Sequence, residues 1–420
     1  MEETTKQKFR LTGLERAWIL YDVGNSAFVL LVATLIPIFF NALAAEGGLS
    51  SVEYLAYWGY AASAVTVITA ILSPILGTLA DTRNFKKPIF ILCLVVGVAG
   101  CCAMGLAKTW LPFLLIFIFA KVGFSGSLVF YDSMLSDVTT PERMDEVSAR
   151  GYAWGYIGSC IPFVVCLALV LGAGSIGISQ LTALNIALFI TAAWWLVTTL
   201  PLLGQYRQLH YVEVERHAIR QSFARIGHTI RHLHEDRQVF WFLLAFFCYI
   251  DGVYTIIDMA TAYGTALGLD TTGLLLALLL TQVVAFPSAL VFGRLSTNHP
   301  STQLIPACIA AYAGIALFAF FLTQQWQFWV LAVAVGMFQG GVQALSRSHF
   351  AKIIPPEKSG EYFGLFDICG KGASFLGTMI VSVGSQLTGS ANVGVGSLIV
   401  LFVIGFVLFR VSTRTGKITG

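Results

Sequence analysis

The chain has 420 residues, of which 57% are hydrophobic and 11% charged, with a mean hydropathy of +0.78. That balance excludes a soluble globular domain, and the formal charge of +3 is too small to imply a nucleic-acid partner. Eight cysteines with no CxxC pair read as small buried hydrophobes rather than as a metal or redox site.

Twelve mainly apolar stretches follow in chain order: 15–42, 53–80, 88–107, 110–137, 147–172, 179–203, 238–266, 270–295, 302–323, 326–350, 360–387 and 392–411. Each spans about 30 Å of hydrocarbon as a helix, and no alternating strands of barrel type appear. The polar N-terminus with Lys6, Lys8 and Arg10 precedes a span too long for a signal peptide, so the first span reads as a permanent helix. Arg83, Lys86, Lys87, Arg143, Arg150, Arg294, Lys352, Lys358, Arg410 and Arg414 fall in loops on the side of the N-terminus, whereas the opposite loops hold only Lys108. The positive-inside rule then places both termini in the cytoplasm.

The loop after the second span runs Gly77-Thr-Leu-Ala-Asp81-Thr-Arg83-Asn84-Phe-Lys86-Lys87. Gly77 permits close packing and Asn84 tolerates a left-handed turn. Asp81 can meet a positive helix N-terminus, so Asp81, Arg83, Lys86 and Lys87 are candidate gating residues. Residues 204–237 form the one long polar interruption and separate a six-helix bundle, 1–203, from a second, 238–420. Ile219, Phe223, Ile226, Ile230 and Leu233 make one apolar stripe among arginines, which predicts a basic amphipathic helix on the membrane surface. The five linker histidines, His210, His217, His228, His232 and His234, are spaced loosely and read as solvated, with no metal.

The two bundles repeat landmarks. Tyr21-Asp22-Val23-Gly24 in span 1 answers Tyr249-Ile250-Asp251-Gly252 in span 7, and Pro141-Glu142-Arg143 answers Pro356-Glu357-Lys358. Repeated bundles point to a transporter with its site at the midplane between them. Ionisable side chains inside the spans support this, because a charge in hydrocarbon costs several kcal/mol or more and is kept for function. Lys121, Asp251, Asp22, Asn25, Gln339, Gln343 and Lys371 are the candidate substrate-binding residues, and Asp251, Asp22 and Asp258 the candidate proton carriers. Asp132 and Arg347, nearer the cytoplasmic ends, join the gating set. Asp251 and Asp258 are seven apart and share a helix face; Asp367 and Lys371 are four apart and can pair with each other.

The loop after span 2 resembles the signature of the major facilitator superfamily. Tyr21-Asp22-Val-Gly-Asn25-Ser26, Asp251-Gly252-Val-Tyr-Thr255, Gln339-Gly340-Gly341-Val-Gln343-Ala-Leu-Ser346-Arg347-Ser348 and Tyr362-Phe-Gly364-Leu-Phe-Asp367 together resemble its vacuolar amino-acid effluxer, or autophagy-related, branch, including the bacterial members. Val23, Thr82 and Asn84 depart from that pattern. The resemblance implies an all-α fold of twelve transmembrane helices in two pseudo-symmetric six-helix bundles, with spans 1, 4, 7 and 10 lining a central cavity. It also implies a secondary active transporter in the inner cell membrane, working by alternating access and exporting an amino acid. The expected partners are the bilayer and a small amphoteric or anionic substrate. The chain is expected to be a monomer, not an enzyme, with no cofactor beyond a proton gradient. A transporter of a peptide, drug, siderophore or lipid, and a non-transporting receptor or scaffold of this fold, remain alternatives at this point.

Overall fold

The computed structural model describes residues 9–213, 231 and 233–416. The linker stripe from Ile219 to Ile230, with Arg216, Arg220 and Arg225, lies outside the described residues. The first group of helices comprises α1 (Gly13–Ala33), α2 (Leu35–Glu46), α3 (Ser51–Ala80), α4 (Lys86–Met104), α5 (Trp110–Ser133), the single turn α6 (Leu135–Val138), α7 (Met144–Leu171) and α8 (Gln180–Gln205). The second comprises α9 (Arg237–Ala266), α10 (Thr271–Leu295), α11 (Ser301–Phe320), α12 (Gln325–Ile353), α13 (Ser359–Thr388), the short α14 (Ala391–Gly396) and α15 (Ile399–Thr415). Among the described residues the β-structure is a lone bridge between Thr82 and Val212.

Among the described residues eleven helical stretches are long and apolar enough to cross a membrane. The remaining predicted span is α13, whose 30 residues reach about 45 Å at 1.5 Å per residue. It is more polar, carrying Glu361, Asp367 and Lys371 among glycines. Large apolar side chains such as Val67, Ile71, Leu92, Val197 and Val407 stand more than half exposed on the outer surface, as a lipid-facing perimeter requires. The predicted first span is one helix in the sequence reading but two in the structure. The chain breaks at Thr34, whose hydroxyl turns back to the Leu30 carbonyl. Helix starts are set by local chemistry: Thr12 with Glu15 and Ser50 with Glu53 form capping boxes, and the Asp270 carboxylate caps α10.

The repeat seen in the sequence recurs in three dimensions. The Tyr21 hydroxyl donates to Ser127 of α5 at 2.6 Å, and Tyr249 meets Ser346 of α12 at 2.7 Å. A Cβ on Gly24 would strike Thr198 of α8, and one on Gly252 would strike Phe402 of α15. The two groups meet along α3 against α13 and along α7 against α10 and α12. Glycine makes the first approach possible, since a Cβ on Gly77 would collide with the Gly360 carbonyl, and one on Gly364 would lie 2.7 Å from Pro74 Cα.

Candidate functional site

Helical periodicity aims polar side chains at one space between the groups. Asp22, Asn25, Ser26 and Val29 form one stripe of α1, Lys121, Phe124, Leu128 and Asp132 one of α5, and Gln339, Gln343 and Arg347 one of α12. Tyr152, Tyr156 and Ser159 of α7, Tyr254 and Asp258 of α9, Gln282 of α10, and Phe366, Asp367 and Gly370 of α13 complete the wall of a cavity of about 380 Å³. The ammonium of Lys121 sits 4.8 Å from the Phe124 ring centre and is the cation whose field acts on Asp258. Asn25 donates to Asp22 at 3.4 Å, Tyr156 donates to Gln343 at 2.9 Å, and the buried Gln339 Oε1 has no hydrogen-bond partner among the described residues. A second, almost wholly apolar pocket of about 50 Å³ adjoins the first and shares Ile257, Gln282 and Gln339 with it.

The floor of the cavity is built on Arg347, whose side chain is 2% exposed. It crosses from α12 into the first group. There it donates to Asp132 at 3.0 Å and to the Ser148 hydroxyl and carbonyl at 3.0 Å each, and pairs with Asp22 at 3.6 Å. Its guanidinium carbon lies over the Trp18 and Tyr152 rings, 4.6 and 4.3 Å from their centres, and Tyr131 donates to Asp22 at 3.1 Å. Nearby, Ser148 donates to the Ala344 carbonyl at 2.8 Å. Asp145 accepts from Ser348 and pairs with Lys352, both at 2.6 Å. Ser73 of α3 donates to Asp367 at 2.8 Å.

Below this floor, on the lysine- and arginine-rich face, Asp81 caps α13 from the other group. Its two oxygens accept from the Gly360 and Glu361 amides at 2.7 and 2.8 Å, which are among the amides a helix start leaves unpaired. Lys86, fully buried, donates to Ser359 at 2.8 Å and lies 3.8 Å from Asp81 and 3.6 Å from Asp137. Asn84 makes the turn with φ 65°. Arg83 instead faces outward and pairs with Glu213 at 3.1 Å, and Lys87 is half-buried on the same turn.

The start of the linker is stitched to this loop. Val212 donates to the Asp81 carbonyl at 2.8 Å, Tyr206 to Asp137 at 2.6 Å, and the His210 amide and ring both meet Asp137 at 2.9 Å. Burial works to raise the Asp137 carboxyl, but Lys86, His210 and Tyr206 outweigh it and hold it below the ordinary range. The bond to Asp137 holds the His210 imidazole above its usual value. A histidine raised in this way stabilises the docked linker fully below its free value of about 6.5 and ceases to do so as pH climbs through its docked value. Proteolysis of the linker is therefore expected to quicken as pH rises from 6 to 8, and His210→Gln to flatten that dependence; an unchanged pH profile in the variant contradicts the assignment.

The structure brings Lys121, Asp22, Asn25, Asp258, Gln339 and Gln343 to one cavity and Asp132 with Arg347 to its floor. Asp251 stands elsewhere. Aligning Tyr21 with Tyr249 and Gly24 with Gly252 sets Asp251 opposite Val23, one position on from Asp22, and one residue turns a side chain about 100° round a helix. Val23 faces Gly158 of α7, and Asp251 correspondingly faces Gly377 of α13. Lys371 lies on α13, but its side chain is outside the described set. Asp367 accepts from Ser73 across the groups; its expected pairing with Lys371 falls on a side chain outside the described residues. Ser73, Asp145 and Ser148 carry inter-group bonds that sequence reasoning did not single out, because nothing in a single helix marks a serine that meets a distant one. Tyr152 was also missed, although its four-residue spacing from Tyr156 places both on one face; Trp154 between them is 46% exposed and points away. Among the described residues no cluster of His, Cys, Asp and Glu is arranged to hold a metal ion.

Residues 14–419 match the family model described as vacuole effluxer Atg22 like. The uncharacterized MFS-type transporter YxiO of Bacillus subtilis (strain 168) is 43% identical, over 95% of this chain and 94% of its own length. Autophagy-related protein 22 of Coccidioides immitis (strain RS) is 26% identical over 64% of this chain, and the match spans 51% of that longer protein. Among solved structures, the human organic anion transporter MFSD10 (TETRAN) aligns with a TM-score of 0.71 at 16% identity, over 94% of this chain and 98% of its own. The major facilitator transporter FucP in its outward conformation aligns with a TM-score of 0.73 at 15% identity, over 95% and 97%. At such identities the shared property is the fold.

Proposed function

Because the chain belongs to the family of Atg22-like vacuole effluxers, a multi-pass membrane protein of the major facilitator fold, we propose that it is a secondary active transporter exporting an amino acid across the inner cell membrane by alternating access. The carrying observation is the polar cavity between the two groups, with Lys121 and Asp258 on its wall. A zwitterion needs both signs of partner, a cation for its carboxylate and an anion or amide oxygen for its ammonium. Lys121 supplies the first, and Asp258 supplies the second together with Gln339 Oε1, which has no partner among the described residues. The apolar pocket beyond Gln339 suits an aliphatic side chain, because apolar surface leaving water contributes about 25 cal/mol per Å². A non-transporting scaffold predicts a collapsed centre, which a cavity of about 380 Å³ speaks against.

Arg347 and the Asp81 latch are the devices that open and close the basic side, which the positive-inside rule makes cytoplasmic. The arrangement described is then the state closed to the cytoplasm. A proton gradient is the proposed driving force, coupled through acids buried within the spans.

Thermal-shift measurement on the purified protein tests the substrate class. A proteinogenic amino acid is expected to raise the melting temperature, since ligand at a hundred times its Kd adds about 2.7 kcal/mol to the folded state. Lys121→Ala is expected to abolish the shift. Stabilisation by apolar drugs that survives Lys121→Ala, with none by amino acids, contradicts the reading.

A further inference from the structure

We propose that Asp251 is a protonation site separate from the substrate cavity, and that α13 senses its charge through the amide of Gly377. The inference rests on the transporter reading above and assigns the coupling proton within it.

Asp251 is fully buried where α9 meets α13 and does not line the cavity. Its Oδ1 accepts from the Gly377 amide at 2.9 Å and from the Thr255 hydroxyl at 3.4 Å. Its Oδ2 is buried with no partner among the described residues. Among the described residues the groups around it are few. Its own helix offers Thr255 and, one turn back, the Cys248 thiol, on which the Asp251 charge acts. From α13 comes the Gly377 amide, and α15 places Phe402 against the adjoining Gly252. No cation faces Asp251 among the described side chains.

Such a site is suited to a change of charge. Addition of a proton to Oδ2 converts the carboxylate to the neutral acid with no other bond made or broken. The ionised form grips the Gly377 amide through a charge-assisted bond, roughly twice as strong as a neutral one. The neutral form holds that amide more weakly and needs an acceptor for its own O–H. The two protonation states therefore prefer different placements of α13 against α9. Gly377 is required for this contact, because a Cβ there would strike Thr255 Oγ1 and lie 2.7 Å from Asp251 Oδ1.

The helix that reads the charge also closes the molecule. α13 presents Ser359, Gly360 and Glu361 to Lys86 and Asp81, and Asp367 to Ser73. A shift of α13 at Gly377 is transmitted along a continuous rod to the latch on the basic face, so proton and substrate need not share a place.

Proteoliposomes and purified protein test this with labelled L-leucine as the probe. Asp251→Asn is expected to lose accumulation driven by a pH gradient while retaining leucine counterflow, which needs no net proton movement. Gly377→Ala, which keeps the acid but pushes the amide off it, is expected to lose driven uptake while retaining counterflow; driven uptake equal to wild type in this variant overturns the role given to the amide. Accumulation by Asp251→Asn equal to wild type overturns the proposal, as does loss of counterflow in that variant at an unchanged melting temperature. Wild-type uptake driven by a sodium gradient but not by a pH gradient overturns it too. If wild type moves no leucine in either assay, the leucine reading fails separately, and the site is judged by infrared spectroscopy. A pH-dependent carboxyl band present in wild type and missing in Asp251→Asn upholds it; the same bands in both overturn it.

Discussion

Arg347→Ala is expected to destabilise the closed arrangement by about 3–5 kcal/mol, the usual cost of removing one partner from a buried ion pair. The large figure follows from burial. The arginine side chain is 2% exposed and its partners Asp22 and Asp132 are 8% and 20% exposed, so water cannot take over its role. Two buried carboxylates would be left at the cavity floor without their arginine. The variant should melt lower than wild type, and Asp132→Asn added to it should recover part of the loss by removing one stranded charge. Arg347→Lys should not restore wild-type behaviour, because an ammonium cannot reach Asp132 and both Ser148 oxygens at once. A wild-type melting temperature in Arg347→Ala would contradict the role assigned to the floor.

Gly77→Val is expected to hold the basic side open. The clash is with the Gly360 backbone, which cannot rotate away as a side chain can, so α3 and α13 must separate at the point where Asp81 caps the helix. Overpacking of this kind costs about 1–3 kcal/mol, and a closed state that loses the Asp81 and Lys86 bonds as well is no longer favoured. A cysteine placed at Ser148 should react with a membrane-impermeant maleimide faster in the Gly77→Val background when reagent is added from the basic side. Gly364→Val, which meets Pro74 and Ser73, should do the same. Equal labelling in all three backgrounds would show that the α3–α13 approach does not govern access.

Much of the fold is written in local features. Apolar runs long enough to cross a bilayer are visible one at a time, the turn at Asn84 follows from a residue tolerant of positive φ, and the Tyr21 and Tyr249 landmarks carry the repeat. The cavity was partly legible for the same reason: Lys121, Asp22, Asp258, Gln339 and Gln343 are polar where their neighbours are not. Asp251 shows the limit of that signal. It is as conspicuous as Asp22 in the sequence, yet a one-residue offset in register turns it to α13. Its seven-residue spacing from Asp258 gives a shared face but not a shared neighbour. Ser73, Ser148 and Asp145 were illegible because their partners Asp367, Ala344 and Ser348 lie far along the chain. The break at Thr34 was announced by Pro37, which has no N–H to bond the Ala33 carbonyl and suits the first turn of a new helix, a signal passed over inside a long apolar run.

For substrate to cross, the two groups must part on the basic side. Paired cysteines at Ser148 and Ala344, in a background with the eight native cysteines replaced, can be joined by a short bifunctional thiol reagent. The adjacent Ser148 hydroxyl and Ala344 carbonyl, 2.8 Å apart, are on opposite sides of the seam. Joining them is expected to abolish leucine counterflow in proteoliposomes, and reductive release of the linker to restore it. Counterflow that continues unchanged in the fully joined protein would contradict the account.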